Sequence, residues 1–297
     1  MELHQLRYFV AVAETGGFVR AAKRCHVAQP SLSQQIRKLE DELGMPLFDR
    51  VPSGAVLTEA GRALLPRARR ILYEVRDVSS ELRRDLDAGR GPLSVGAIPT
   101  MAPYLLPPVL SRFVRANPDC ELTVREDLTE RLIEAVVEHE LDLAIMSTPV
   151  EHPALSVEVI GRESLIAVAP KDYPWPAKPS LDDLRDQPTV VLHEIHCLGK
   201  QVEDFCSANS VTRRIVCRST QLPTVLALVG LGLGLSIVPE MAARTDRTKS
   251  RTYREIAGEQ PEREISVVRR TDRSVSMLAG RFVEEICQRL TESGAAV

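Results

Sequence analysis

Ala21-Ala22-Lys23-Arg24-Cys25-His26-Val27-Ala28-Gln29-Pro30-Ser31-Leu32-Ser33-Gln34-Gln35-Ile36-Arg37-Lys38-Leu39-Glu40 is the stretch on which the reading of this chain turns. Leu32, Ile36, Leu39 and Leu43 recur at three- and four-residue steps, the mark of a helix with one buried face. Pro30 suits the first turn, where a missing N–H costs nothing. The opposite face carries Ser31, Ser33, Gln34, Arg37 and Lys38: hydroxyls and amides that can reach base edges, with cations placed for phosphates. Ahead of it a shorter helix holds Ala21, Ala22 and Cys25. Earlier still, Leu3, Leu6, Phe9, Val10 and Val12–Ala13 keep helical spacing until Gly16–Gly17 ends the run. Two short helices, a tight turn and a polar start to the second make a helix-turn-helix. A three-helix bundle with a solvated face fits these residues equally well.

The next residues decide between the two. Gly44-Met45-Pro46-Leu47-Phe48-Asp49-Arg50 leads to Val56-Leu57-Thr58-Glu59-Ala60-Gly61, and most of the first 62 positions resemble the winged helix-turn-helix of LysR-type transcriptional regulators without a gap. The resemblance implies a DNA-binding domain over residues 1–60 with double-stranded DNA as partner. It places Gln29, Ser31, Ser33, Gln34 and Arg37 on the recognition helix and Arg50 near the wing. Cys25 and His26 read as structural residues of the turn, having no metal partners nearby.

Charge alone does not point to DNA. The net charge is −3, with 14 basic and 12 acidic side chains in residues 1–87 and 24 against 29 in the rest, so the N-terminal end is only marginally basic. An apolar share of 44% and a charged share of 27% describe an ordinary globular protein. No apolar run reaches the roughly 18 residues of a membrane span. The longest candidate, from Leu222 to Pro239, is broken by prolines and by Gly230, Gly232 and Gly234. With no secretory signal pattern at the N-terminus, the expected location is the cytoplasm and no membrane contact is expected. The six cysteines form no C-x-x-C pair and no zinc spacing, so neither metal nor cofactor is expected.

Over residues 58–87 helix formers dominate. Ala68, Ile71, Val75, Val78 and Leu82 form a narrow seam with charges on the other faces, and Pro66 interrupts the run. A dimerising linker helix is expected, since a pseudo-palindromic DNA site asks for a two-fold protein. Residues 88–92, Ala-Gly-Arg-Gly-Pro, read as a hinge.

Residues 93–297 alternate short β-like runs (Leu93–Ile98, Glu121–Arg125, Leu141–Met146, Leu165–Ala169, Thr189–Leu192, Arg214–Cys217, Leu235–Val238, Ile265–Arg269) with helical stretches, an α/β pattern. The resemblance implies a regulatory domain of two Rossmann-like subdomains, similar to periplasmic binding proteins, following the all-α winged helix-turn-helix and linker helix. Residues 93–162 with 269–297 would form the first subdomain and 163–268 the second. The Gly232-Leu233-Gly234 run lacks the context of a dinucleotide fingerprint, so nucleotide binding is discounted.

His193-Glu194-Ile195-His196-Cys197-Leu198-Gly199-Lys200-Gln201-Val202-Glu203-Asp204-Phe205-Cys206 resembles the redox segment of the peroxide-sensing OxyR branch of that family. Residues 96–107 and Thr129 match the same branch; Gly199 and Lys200 stand where the branch varies. The resemblance implies hydrogen peroxide as signal and a reversible Cys197–Cys206 disulfide as switch. It implies Thr100, Thr129, His196, Gln201 and Arg270 around the peroxide, with Arg269 an adjacent rival to Arg270. It further implies a dimer or tetramer. The chemistry is consistent: peroxide reacts with thiolate, which neighbouring cations, donors or a helix N-terminus favour. Were residues 197–206 helical, nine steps would rise about 13.5 Å and turn about 180°, whereas a disulfide needs Cα atoms within about 7 Å. Oxidation would then have to unwind the segment. Two other functions compete: a LysR-type regulator answering a small organic effector between the subdomains, and a thiol peroxidase. The first sixty residues favour a regulator over an enzyme.

Overall fold

Leu6, Phe9, Val12, Ala21, Leu32, Ile36 and Leu39 are all but inaccessible, and they close one small core. They come from α1 (Leu3–Thr15), α2 (Phe18–Arg24) and α3 (Gln29–Leu43), and a two-stranded wing of β1 (Phe48–Val51) and β2 (Gly54–Leu57) follows. The computed structural model describes residues 1–51, 54–84, 90–147, 149–258 and 260–295, without the side chains of Arg50 and of residues 78–84. Gly16 ends α1 at φ 66°, a conformation glycine adopts without steric cost.

Local contacts explain the sequence around the wing. The Glu40 carboxylate accepts the backbone N–H groups of Leu47 (2.8 Å) and Phe48 (3.3 Å), pinning the chain as it leaves α3. Thr58 caps α4 (Glu59–Arg84) by accepting the Gly61 N–H at 3.0 Å, and donates to the Pro46 carbonyl at 2.7 Å. A Cβ on Gly61 would stand 2.3 Å from the Leu47 carbonyl oxygen, so the close approach of α4 to the wing requires glycine.

The chain divides into two compact units, Met1–Ala88 with Glu138–Glu140, and Gly89–Val137 with Leu141–Val297. On α4, Ala68 is fully buried and Ile71 packs against its own unit's core, so these two seam positions are at least partly spent on the N-terminal unit. Val75 is 39% exposed. The seam side chains at 78 and 82, and hinge residues 88 and 89, lie outside the described residues. The rest of the expected hinge is corrected: Gly91 and Pro92 already pair with Cys120 and Glu121 in a strand.

The second unit is α/β. Its first half holds β3 (Gly91–Ala97), α5 (Ala102–Ala116), β4 (Cys120–Glu126), α6 (Thr129–Val137) and β5 (Leu143–Met146). Then comes β6 (Leu155–Pro170), a 16-residue strand. The second half holds α7 (Leu181–Leu184), β7 (Pro188–Leu192), α8 (Cys197–Ala208), β8 (Arg214–Ser219), α9 (Leu222–Gly230), β9 (Ser236–Pro239), α10 (Glu240–Thr245) and β10 (Arg251–Arg254). Finally β11 (Glu262–Arg270) and α11 (Met277–Glu292) return to the first half. Strand β3 is parallel to β4 and β5, and β11 is antiparallel to β5 and β6.

Strand β6 serves both halves. Residues 155–164 pair with β11, and residues 165–170 pair with β9 and β10. All of β11 lies in the first half, with Ile265, Val267 and Val268 fully buried in its core. The return crossing therefore precedes Glu262, earlier than the expected boundary at residue 268. The expectation followed the resemblance, but pairing of Ser266, Val267 and Val268 with Met146, Ile145 and Ala144 of β5 fixes these residues in the first sheet. Among the described residues no helix is long and apolar enough to cross a membrane.

Candidate functional site

The exposed start of α3 carries Gln29, Ser31, Gln34, Arg37 and Lys38 in solvent. Ser33 is a correction. It is 8% exposed and its hydroxyl accepts from the exposed Gln29 Nε2 at 2.9 Å, so it supports Gln29 rather than standing open on the face itself. The apolar stripe of a core-facing helix spans more than 100°, wide enough to take in the position beside Leu32.

The second constellation lies at the C-terminal ends of the parallel strands, where α/β folds place their ligands. Helix α8 begins at Cys197 with His196 as its N-cap residue. Cys197 is half-buried against the first-half core, although its helix belongs to the second half. Cys206 is 1% exposed in the second-half core. Burial pushes its thiol pKa up, with Glu203 adding and Arg213 opposing. The unbroken helix separates the pair by about 13.5 Å along its axis and half a turn around it.

Gly199 holds this helix close. A Cβ there would lie 2.5 Å from the His193 carbonyl oxygen and 2.7 Å from that of Leu192, so the first turn of α8 sits directly on the end of β7. His196 is buried, its Nε2 2.7 Å from the Thr220 carbonyl. A carbonyl only accepts, so Nε2 carries the proton and donates away from the helix axis to the β8–α9 connection.

Thr100 follows β3 at 1% exposure. Its hydroxyl and its carbonyl accept from Arg263 at 2.9 and 3.1 Å. Arg263 also donates through Nε to Glu163 at 2.6 Å, and Glu163 accepts the Met241 N–H at 3.1 Å. The Arg263–Glu163 pair is essentially sealed from solvent, at 0% and 2% side-chain exposure. The two residues face each other across β11 and β6, next to the point where β6 passes between the halves and β11 begins. An arginine only donates, so the Thr100 hydroxyl accepts from it and keeps its own proton to donate elsewhere.

Arg270, expected in this place, is corrected. It lies seven residues further along β11, about 23 Å at strand rise. There it donates to the Val137 carbonyl at 2.7 Å and pairs with Asp272. Its rival Arg269 pairs with Glu158 at 2.8 Å. The missed residue had a readable signal. In Glu262-Arg263-Glu264-Ile265-Ser266-Val267, alternation puts Arg263 on the face of Ile265 and Val267, a charge on the core side of a strand.

Gln201, one turn after Cys197, donates Nε2 to the Ser147 hydroxyl at 2.8 Å, and Ser147 donates to the Glu264 carbonyl at 3.0 Å. Thr129 is half-buried at the first position of α6. The structure thus joins Thr100 to Arg263 and Glu163, and Gln201 to Ser147. It ties His196 and Arg270 elsewhere. The side chain of Arg50 lies outside the described residues.

Comparison with known proteins agrees with this architecture. The lysR-family bacterial regulatory helix-turn-helix model matches residues 3–62, and the LysR substrate binding domain model matches residues 87–291. A relative from Dickeya chrysanthemi named hydrogen peroxide-inducible genes activator is 34% identical over 285 residues, covering 95% of this chain and 92% of that protein. The solved structure of full-length OxyR from Pseudomonas aeruginosa, with a cysteine replaced by aspartate, superposes with TM-score 0.80 at 30% identity, covering 97% and 94% of the two chains. A hydrogen-peroxide-bound Corynebacterium glutamicum OxyR with a cysteine-to-serine replacement gives TM-score 0.66 at 32% identity, covering 98% and 95%. With both of its parts matched and relatives above 30% identity along nearly its whole length, this chain belongs to the LysR family of bacterial helix-turn-helix regulators.

Proposed function

We propose that the chain is a cytoplasmic, DNA-binding transcription regulator, not an enzyme, whose second unit detects hydrogen peroxide through a reversible Cys197–Cys206 disulfide. The observation that carries this reading is the placement of the two thiols. They sit at either end of one helix segment, each against a different core, so they can join only if α8 unwinds. A bond with that consequence is a switch. The names of the relatives, hydrogen peroxide-inducible genes activator and OxyR, support the signal.

In the proposed reaction the Cys197 thiolate attacks one peroxide oxygen and the O–O bond breaks. Cys197 becomes a sulfenic acid, and the departing hydroxide takes a proton and leaves as water. Deprotonated Cys206 then attacks the Cys197 sulfur, the S–S bond forms and a second water leaves. Two thiols thereby supply the two electrons that reduce one peroxide. Thr100 would donate a hydrogen bond to the departing oxygen, polarised by Arg263 in the role the resemblance implied for Arg270. Thr129 and Gln201 would hold the peroxide.

Peptide mapping of the full-length protein after brief, low peroxide tests the reading. Wild type should show the Cys197–Cys206 disulfide, and Cys206→Ser should accumulate sulfenic or over-oxidised Cys197. Cys197→Ser should leave Cys206 nearly unreactive, because burial disfavours its thiolate. If both thiols stay reduced in wild type, a regulator answering a small organic effector is the better reading.

On the DNA side, Gln34→Ala should weaken discrimination by about 1–3 kcal/mol, the worth of a good base contact. Ser33→Ala should have the smaller effect, since Ser33 is 8% exposed and its hydroxyl is engaged by Gln29. Footprinting of both variants checks this assignment, and protection of a single half-site would count against the dimer expected through α4.

A further inference from the structure

We propose that Ser147 is a positioning residue of the thiol site, acting through Gln201; this rests on the peroxide reading above. Ser147 is 1% exposed, immediately after β5, and its hydroxyl has one proton. That proton goes to the Glu264 carbonyl at 3.0 Å, an acceptor that can give nothing back. Toward Gln201 the hydroxyl can therefore only accept, which requires the amide to present Nε2, as it does at 2.8 Å. The amide is thereby fixed, with its carbonyl oxygen directed away from Ser147. Gln201 stands four residues after Cys197, on the same face of α8. A fixed acceptor one turn from the thiol is what a peroxide, with two O–H donors, needs for orientation.

The same bond has a second consequence. Gln201 lies between Cys197 and Cys206, within the turns that must open for the disulfide to form. Ser147 is anchored to β11 in the other half of the unit, at the residue next to Arg263. The Gln201–Ser147 bond therefore ties the closed form of α8 to the first half. Ser147 assists the first oxidation step and restrains the second.

These opposed effects make the test decisive. Sulfenic acid formation at Cys197 is timed in the Cys206→Ser background by rapid quench and mass spectrometry. Disulfide closure is timed with Cys206 intact. Ser147→Ala should slow the first step about five-fold and speed closure by a similar factor, the range expected for one buried neutral hydrogen bond. Ser147→Thr, which keeps the hydroxyl, should restore both steps and carries the test if the alanine variant folds poorly. Added to Gln201→Leu, Ser147→Ala should have no further effect on the first step, because the two residues form one unit. Wild-type rates in Ser147→Ala, slowing of both steps together, or an undiminished effect in the Gln201→Leu background would each overturn the proposal. An unreactive Cys197 in the parent protein would instead refute the peroxide reading itself.

Discussion

Replacing Arg263 with alanine should destabilise the second unit by about 3–5 kcal/mol, because Glu163 would be left as an uncompensated buried charge. The same change should slow oxidation of Cys197 by about 10–100-fold, the worth of the charged hydrogen bond through which Arg263 acts on Thr100. Lysine is no substitute. A single ammonium cannot serve the Thr100 hydroxyl, the Thr100 carbonyl and Glu163 with the geometry of a guanidinium fork. A second variant separates the two roles. Replacing the pair together, Glu163→Leu with Arg263→Met, removes both charges at similar volume and should recover most of the stability without recovering the oxidation rate. Arg270→Ala should leave oxidation close to wild type, since its contacts lie at the other end of β11. Denaturant unfolding and rapid-quench oxidation measure the two effects. Equal oxidation rates in the Arg263 and Arg270 variants would sink the assignment of Arg263.

Gly199→Ala should cost about 1–3 kcal/mol, the range for forcing extra volume into a packed site. The new Cβ would meet two backbone carbonyl oxygens, from His193 and Leu192, and neither can swing aside as a side chain does. The first turn of α8 must lift from the end of β7, carrying Cys197 with it. Thermal unfolding should show the lower stability, and the oxidation rate of Cys197 should change in the same variant. A melting curve that superposes on wild type would show that the contact relaxes without cost. Gly199 stands where the branch varies, and in this chain the two carbonyls leave no room for a Cβ there.

Much of the molecule was legible because its signals are local. The stripe Leu32, Ile36, Leu39 needs only helical periodicity, and all three residues are fully buried. Eight short β-like runs marked eight of the eleven strands among the described residues. Of the remaining three, two make up the wing, which the resemblance alone anticipated. The third, β10 (Arg251–Arg254), is a polar edge strand without alternation strong enough to announce itself. The helix beginning at Cys197 was likewise readable as a condition, and with it the separation of the two thiols.

The sequence by itself determined the family, the helix-turn-helix and the nine-residue spacing of Cys197 and Cys206, because each depends on neighbours a few positions apart. Only the tertiary structure decided which arginine reaches Thr100, because the choice between Arg263 and Arg270 depends on the register of β11 against β6, strands about a hundred residues apart in the chain. Only the tertiary structure buried Ser33 and set Ser147 against Gln201, 54 residues away in the chain. Such contacts are fixed by packing against distant elements, and a hydrogen bond between them leaves no periodicity to read.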